Sequence, residues 1–216
     1  EAFQGGTGDV HSNTRFDRNI ALGYNSFRGA DFNNTEKVVT DNIAIGDEAL
    51  NSTGANGQVG TIAIGSNALT ALTSGLQNTA VGYEAGKSLT TGGYNTFLGY
   101  EAGENVTDRL YNVAIGTQAM RSGGANSMIA IGYGALDATN STGAQGVIGI
   151  GHAALGGLTS GAGNVAVGYA SGANLTTGHS NTFLGYDSGK SFDSGESSMN
   201  AIGRNAMGSA NNDSSA

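Results

Sequence analysis

One short string recurs along this chain: Asn-x-Ala-x-Gly. It stands at Asn78-Thr79-Ala80-Val81-Gly82, at Asn112-Val113-Ala114-Ile115-Gly116 and at Asn164-Val165-Ala166-Val167-Gly168. Variants begin at Asn19, Asn42, Asn95 and Asn181, and degenerate copies end at Gly65, Gly132, Gly151 and Gly203. The motif glycines fall at 23, 46, 65, 82, 99, 116, 132, 151, 168, 185 and 203, mostly 16 to 19 residues apart. A repeat of this length predicts a solenoid, in which each copy is one coil stacked on the last. Such a chain is expected to be long and stiff, with no single enclosed pocket.

A longer period lies above the first. Residues 42–103 and 128–189 align without a gap at an offset of 86, and roughly 35 of those 62 positions are identical. Asn95-Thr96-Phe97-Leu98-Gly99-Tyr100 returns as Asn181-Thr182-Phe183-Leu184-Gly185-Tyr186. This pattern reads as duplication of a block of five coils. The expected layout is a cap or connector over 1–18, repeats over 19–207 and a flexible or truncated end over 208–216.

Within one repeat the side chains alternate with period two, which argues a strand rather than a helix. In Asn78 to Tyr83 one face carries Thr79, Val81 and Tyr83, and the other carries Asn78, Ala80 and Gly82. The β-branched face is expected to fill the coil interior. The Ala and Gly face is expected outside, where a second chain could approach closely. After each strand, Tyr83-Glu84-Ala85-Gly86 and its equivalents predict a corner. Leu89 is expected to point inward from a second short segment. The asparagines have two readings: an inward ladder bonded between coils, or turn positions in the left-handed region.

Composition narrows the function classes. The chain has 216 residues, 38 of them Gly, with no Pro, Cys or Trp. Without Cys there is neither a disulfide framework nor a thiolate metal site. Nine basic residues against seventeen acidic ones leave a net charge of −8. A nucleic-acid partner is not expected, because phosphate binding needs a basic face. No apolar run is long enough to span a bilayer as a helix. Glu1 reads as the start of an excised or processed fragment.

Three look-alike motifs are absorbed by the repeat. Val147-Ile148-Gly149-Ile150-Gly151-His152-Ala153-Ala154 imitates a dinucleotide fingerprint, but it is a coil variant of Ile62 to Ala68 with no amphipathic helix after it. Gly82 to Ser88 and Gly185 to Ser191 approach a phosphate loop but are one residue short. His11, His152 and His179 occupy unrelated repeat positions and suggest no metal cluster. No catalytic constellation is read, so no enzyme and no cofactor are expected.

Asn42-Ile43-Ala44-Ile45-Gly46, Asn112 to Gly116 and Asn164 to Gly168 resemble the head repeats of trimeric autotransporter adhesins of the YadA type. The longer coils, with Tyr-x-Ala-Gly and Leu-Thr-Thr-Gly, are similar to those of bacterial and phage tail-fibre proteins carrying YadA-like repeats. The resemblance covers roughly residues 19–207. It implies an all-β fold, a left-handed parallel β-roll (a β-solenoid) of about 11 coils. It further implies a homotrimer and a role in attachment to a host glycan or protein receptor. The implied location is extracellular, on a bacterial cell surface or in a virion fibre. A phage tail-fibre segment and a monomeric ice- or polysaccharide-binding solenoid are the alternatives.

Tyr24, Tyr83, Tyr100, Tyr133, Tyr169 and Tyr186 all follow a motif glycine. They read either as a packed ladder or as aromatic platforms for sugars or a host protein. Tyr83, Tyr100, Tyr169 and Tyr186 are therefore candidate ligand-surface residues. Arg28 and Asp31 join them, because the charged insert there breaks the repeat; a polar cap on the solenoid is the competing reading.

Overall fold

The computed structural model describes residues 15–28, 37–53 and 56–208. The fold is an all-β parallel β-solenoid of about 10 coils, with no helix among the described residues. Contacts divide it into two compact units, Glu1–Asn112 and Val113–Ala216. The first holds β1 (Arg15–Asp17), β2 (Ile20–Leu22), β3 (Val38–Thr40), β4 (Ile43–Ile45), β5 (Gln58–Val59), β6 (Ile62–Ile64), β7 (Thr79–Val81) and β8 (Thr96–Leu98). The second holds β9 (Val113–Ile115), β10 (Ile129–Ile131), β11 (Ile148–Ile150), β12 (Val165–Val167), β13 (Thr182–Leu184) and β14 (Asn200–Ile202).

The motif strands pair in parallel with equivalent residues level: Ala44 beside Ala63 beside Ala80 in the first unit, and Ala114 beside Ala130 beside Gly149 in the second. β1, β3 and β5 form a second, three-stranded parallel wall on the early coils. The sequence count of about 11 copies exceeds the coils by one because a coil is closed only between two successive motif strands.

Four corners per coil turn the chain. The motif glycines take φ of +118 to +140°. A Cβ on Gly82 would collide with the Gly99 backbone, and one on Gly168 with Gly185. Only glycine serves there, for its conformation and for the close approach of the next coil. The other three corners sit in the left-handed region near φ +50 to +70°. They hold Gln77, Glu84 and Gly86 in one coil, and Ser180, Asp187 and Gly189 in another.

The two faces of each strand lie opposite to the expectation. Ala80, Ala114 and Ala166 are fully buried, whereas Thr79, Val81, Val113 and Ile115 flank them on the outer side. The interior is too thin for bulk at the strand position, because corner residues already fill it. Leu69, Leu72 and Leu89 are fully buried. Leu89 does point inward, as its pattern predicts.

Volume is exchanged between strand and corner. Where Phe97 replaces the inward Ala, the corners beside it are Gly86 and Gly103, whose added Cβ atoms would meet its ring at 2.7 and 2.6 Å. Phe183 sits likewise between Gly172 and Gly189. The block duplication thus carried a whole packing solution, not only a motif.

The asparagines form the inward ladder. Asn42 Nδ2 donates to Asn19 Oδ1 at 2.9 Å and to the Gln58 carbonyl at 2.8 Å. Asn181 Nδ2 donates to Asn164 Oδ1 at 3.0 Å and to the Glu196 carbonyl at 2.7 Å. The left-handed turn falls one residue earlier, at Asp41, Gln77, Tyr94, Tyr111 and Ser180. Of the two readings of Asn, the ladder holds; the left-handed turn belongs to its predecessor. In the second unit Met128 and Val147 take the Asn position and fill it with apolar bulk.

Candidate functional surface

With Ala turned inward, the outer wall of the motif strands is β-branched or leucine, with Asn200 the exception at the last strand. One column runs Ile20, Ile43, Ile62, Thr79, Thr96 in the first unit and Val113, Ile129, Ile148, Val165, Thr182, Asn200 in the second. The other runs Leu22, Ile45, Ile64, Val81, Leu98 and then Ile115, Ile131, Ile150, Val167, Leu184, Ile202. Neither column contains a charged side chain, in a chain of net charge −8. Leu22 is 64 % exposed, Leu98 42 % and Ile202 68 %.

The residue after each motif glycine also faces outward and borders this wall. There the tyrosines stack. Tyr83 and Tyr100 have ring centroids 5.3 Å apart at an interplanar angle of 14°. In the second unit Tyr133, His152, Tyr169 and Tyr186 form one run, with spacings of 5.1, 4.8 and 5.0 Å. The Arg204 guanidinium lies 5.8 Å from the Tyr186 centroid. The spacing is that of neighbouring parallel strands, so the backbone register sets it.

Stacking decides what these rings can offer. The faces of Tyr169 are covered by His152 and Tyr186, so a sugar ring cannot lie flat on it; ring edges and hydroxyls remain outward. The tyrosines are still about half exposed: 44 % for Tyr83 and 48 % for Tyr186. They are both packed and exposed. A hydrogen bond to Glu84, aided by its charge, raises the Tyr83 phenol above its ordinary value. Glu101 does the same for Tyr100. Lys87 is raised by its hydrogen bond to Glu84, which it meets at 3.0 Å, and Lys190 meets Asp187 at 3.1 Å. Both lysines of the apparent phosphate loops are thus held by corner carboxylates.

Arg28 is exposed at the edge of the described residues, and Asp31 lies outside them. Tyr83 and Tyr100 stack on the border of the first unit's wall, and Tyr169 and Tyr186 on the border of the second unit's. Three members of the surface escape the sequence reading. His152 occupies the Tyr position of its coil. Tyr94 and Tyr111, each one residue before a ladder Asn, stack at 5.2 Å along the opposite border. Their shared offset from Asn95 and Asn112 was the available signal. Among the described residues no group of acidic, His or Cys side chains could hold a metal ion.

No family model matches the chain, and neither a curated protein nor a solved structure resembles it significantly.

Proposed function

We propose that this chain is a segment of an adhesive or structural fibre that associates with copies of itself through the uncharged outer wall. Three copies project from a bacterial surface and attach to a host glycan or protein by multivalent contact. The observation that carries the reading is the pair of uncharged, largely apolar columns left outward by the inversion of the strand faces. Six three-residue strands about 4.8 Å apart carry this wall on the second unit. Contiguous exposed apolar patches rimmed by polar residues mark association sites.

The likeness of the repeats to YadA-type heads supports three copies and attachment. A virion fibre is the same physical object with a different owner. An ice-binding monomer receives less support, because it needs free threonine rows. Here Thr73 and Thr90 donate their hydroxyls to the carbonyls of Thr90 and Thr107 in the next coil, at 2.9 Å each.

In this reading a single copy binds weakly and avidity supplies the rest. The test compares the wild type with Val167→Asp for retention on a glycan array and on cultured cells. The wild type is retained, and a folded, monomeric Val167→Asp is lost from the same surfaces. Equal retention of the two, or no retention of a trimeric wild type on any surface, contradicts the proposal.

A further inference from the structure

We propose that one coil of the first unit binds a single water molecule in its interior, held by Thr53, Gln58 and Thr61.

All three side chains are fully buried. Thr53 Oγ1, Gln58 Oε1 and Thr61 Oγ1 meet no hydrogen-bond partner among the described residues. They stand where the coils that follow are built differently. Thr53 takes the place of the inward Leu72 and Leu89, and Gln58 that of Gly75 and Gly92. Thr61 takes the ladder place of Asn78 and Asn95. Those three places adjoin one another inside a coil. A Cβ on Gly75 would lie 2.9 Å from Leu72 Cδ1. One on Gly178 would lie 2.7 Å from Leu175 Cδ1 and 3.0 Å from Asn181 Nδ2. Gln58 is therefore flanked by the two threonines.

The ladder changes at this coil. Asn42 Oδ1 accepts the Thr61 N–H at 2.9 Å, and Asn42 Nδ2 donates to the Gln58 carbonyl at 2.8 Å. Thr61 carries no amide to pass the ladder on. Gln58 Nε2 donates to the Thr73 carbonyl at 3.0 Å, which leaves Oε1 as the unpartnered half of its amide.

The duplicated block supplies a comparison. At the offset of 86, the trio becomes Thr139, Ala144 and Val147. Thr139 Oγ1 donates to the Leu158 carbonyl at 2.8 Å, and Ala144 and Val147 are buried apolar side chains. Thr and Val have nearly the same shape, so packing would be met by either at position 61. The hydroxyl there needs a polar partner.

A buried polar atom without a partner forfeits its hydration, and ordered water is the usual remedy. One water serves all three atoms. It donates to Gln58 Oε1, which can only accept, and exchanges its other bonds with two hydroxyls, which do both. About three bonds is typical of a buried water. A calcium ion suits the site less, because it takes roughly six to eight oxygens and this trio is three neutral ones.

Thr61→Val in the full chain copies Val147 and gives the sign. With water bridging the trio, the substitution removes a made bond. The folding equilibrium constant read from urea unfolding then falls about threefold to tenfold. Removing an oxygen that bonds nothing would raise it instead. The water itself is counted by oxygen-17 relaxation dispersion, with circular dichroism checking each fold. The wild type is expected to hold one long-lived water that a folded Thr53→Val/Thr61→Val lacks. An unchanged or raised folding constant for Thr61→Val, or an equal water count in wild type and double variant, overturns the proposal. So does a wild-type stability that changes among sodium, potassium and calcium salts at fixed ionic strength, which would make the guest a cation.

Discussion

The Asn95 side-chain nitrogen donates to Asn78 Oδ1 at 3.1 Å, and the Asn95 backbone N–H donates to the same oxygen at 3.0 Å. One buried amide thus ties two coils by side chain and by main chain. A third bond, from Asn95 Nδ2 to the Arg109 carbonyl at 2.8 Å, reaches the following coil. The coils are held by this inner seam as well as by their strands.

Removing that amide is therefore expensive. Asn95→Ala leaves Asn78 Oδ1 with one donor fewer, and leaves the Arg109 carbonyl and the Asn112 N–H without their Asn95 partners. A loss of about 2–4 kcal/mol is expected from buried groups left unpaired, measured by urea unfolding. Asn95→Met should cost less, because Met128 already fills the equivalent place elsewhere. Equal stability of Asn95→Ala and wild type would contradict the ladder's role.

Phe97 and Gly103 form a second testable pair. Phe97→Ala opens a cavity and is expected to cost about 3–5 kcal/mol. Gly103→Ala drives a methyl into the ring and also strains a left-handed corner, for about 1–3 kcal/mol. In the double variant the steric part disappears, so the two costs should fail to add. A double-mutant cycle in denaturant reads this directly, and strict additivity would count against the packing described.

Tyr83 and Tyr100 carry a pH signature. Each phenol is raised above the ordinary tyrosine value of 10.0 by its neighbouring carboxylate. A raised phenol binds its proton more tightly in the folded state. Its stabilising contribution is present below pH 10.0 and is lost as pH rises through the folded value. Glu84→Gln/Glu101→Gln should lower the midpoint of phenolate absorbance for these two rings. An unchanged titration curve would remove the carboxylates as the cause.

The sequence made the solenoid, its period, its parallel strands and its block duplication legible, because every coil obeys one pattern. The sidedness of the strand was not. Alternation fixes which residues share a face but not which face is inside. Bulk suggested that Val81 and Ile115 were core, and only the corner leucines and Phe97, already occupying the interior, explain why Ala80 and Ala114 are there instead. The tyrosine border was legible in position but not in consequence, since only the coil spacing shows that the rings cover one another. His152 and the Tyr94–Tyr111 pair share fixed offsets within the repeat, but a single His among tyrosines and a pair confined to two coils leave only a weak pattern.

The outward wall predicts a split between fold and assembly. Ile150→Asp should leave the circular dichroism spectrum unchanged, since the side chain faces away from the core, and should lower the mass in solution. If Ile150→Asp unfolds the chain instead, the residue belongs to the core and the inversion of faces is wrong.

The most direct measurement is the solution mass of the wild-type chain beside that of Val167→Asp, by sedimentation equilibrium. The account predicts three times the chain mass of 21.5 kDa for the wild type, and a folded species of 21.5 kDa for the variant. A wild-type chain that sediments as a stable monomer, with its apolar wall exposed, would contradict it.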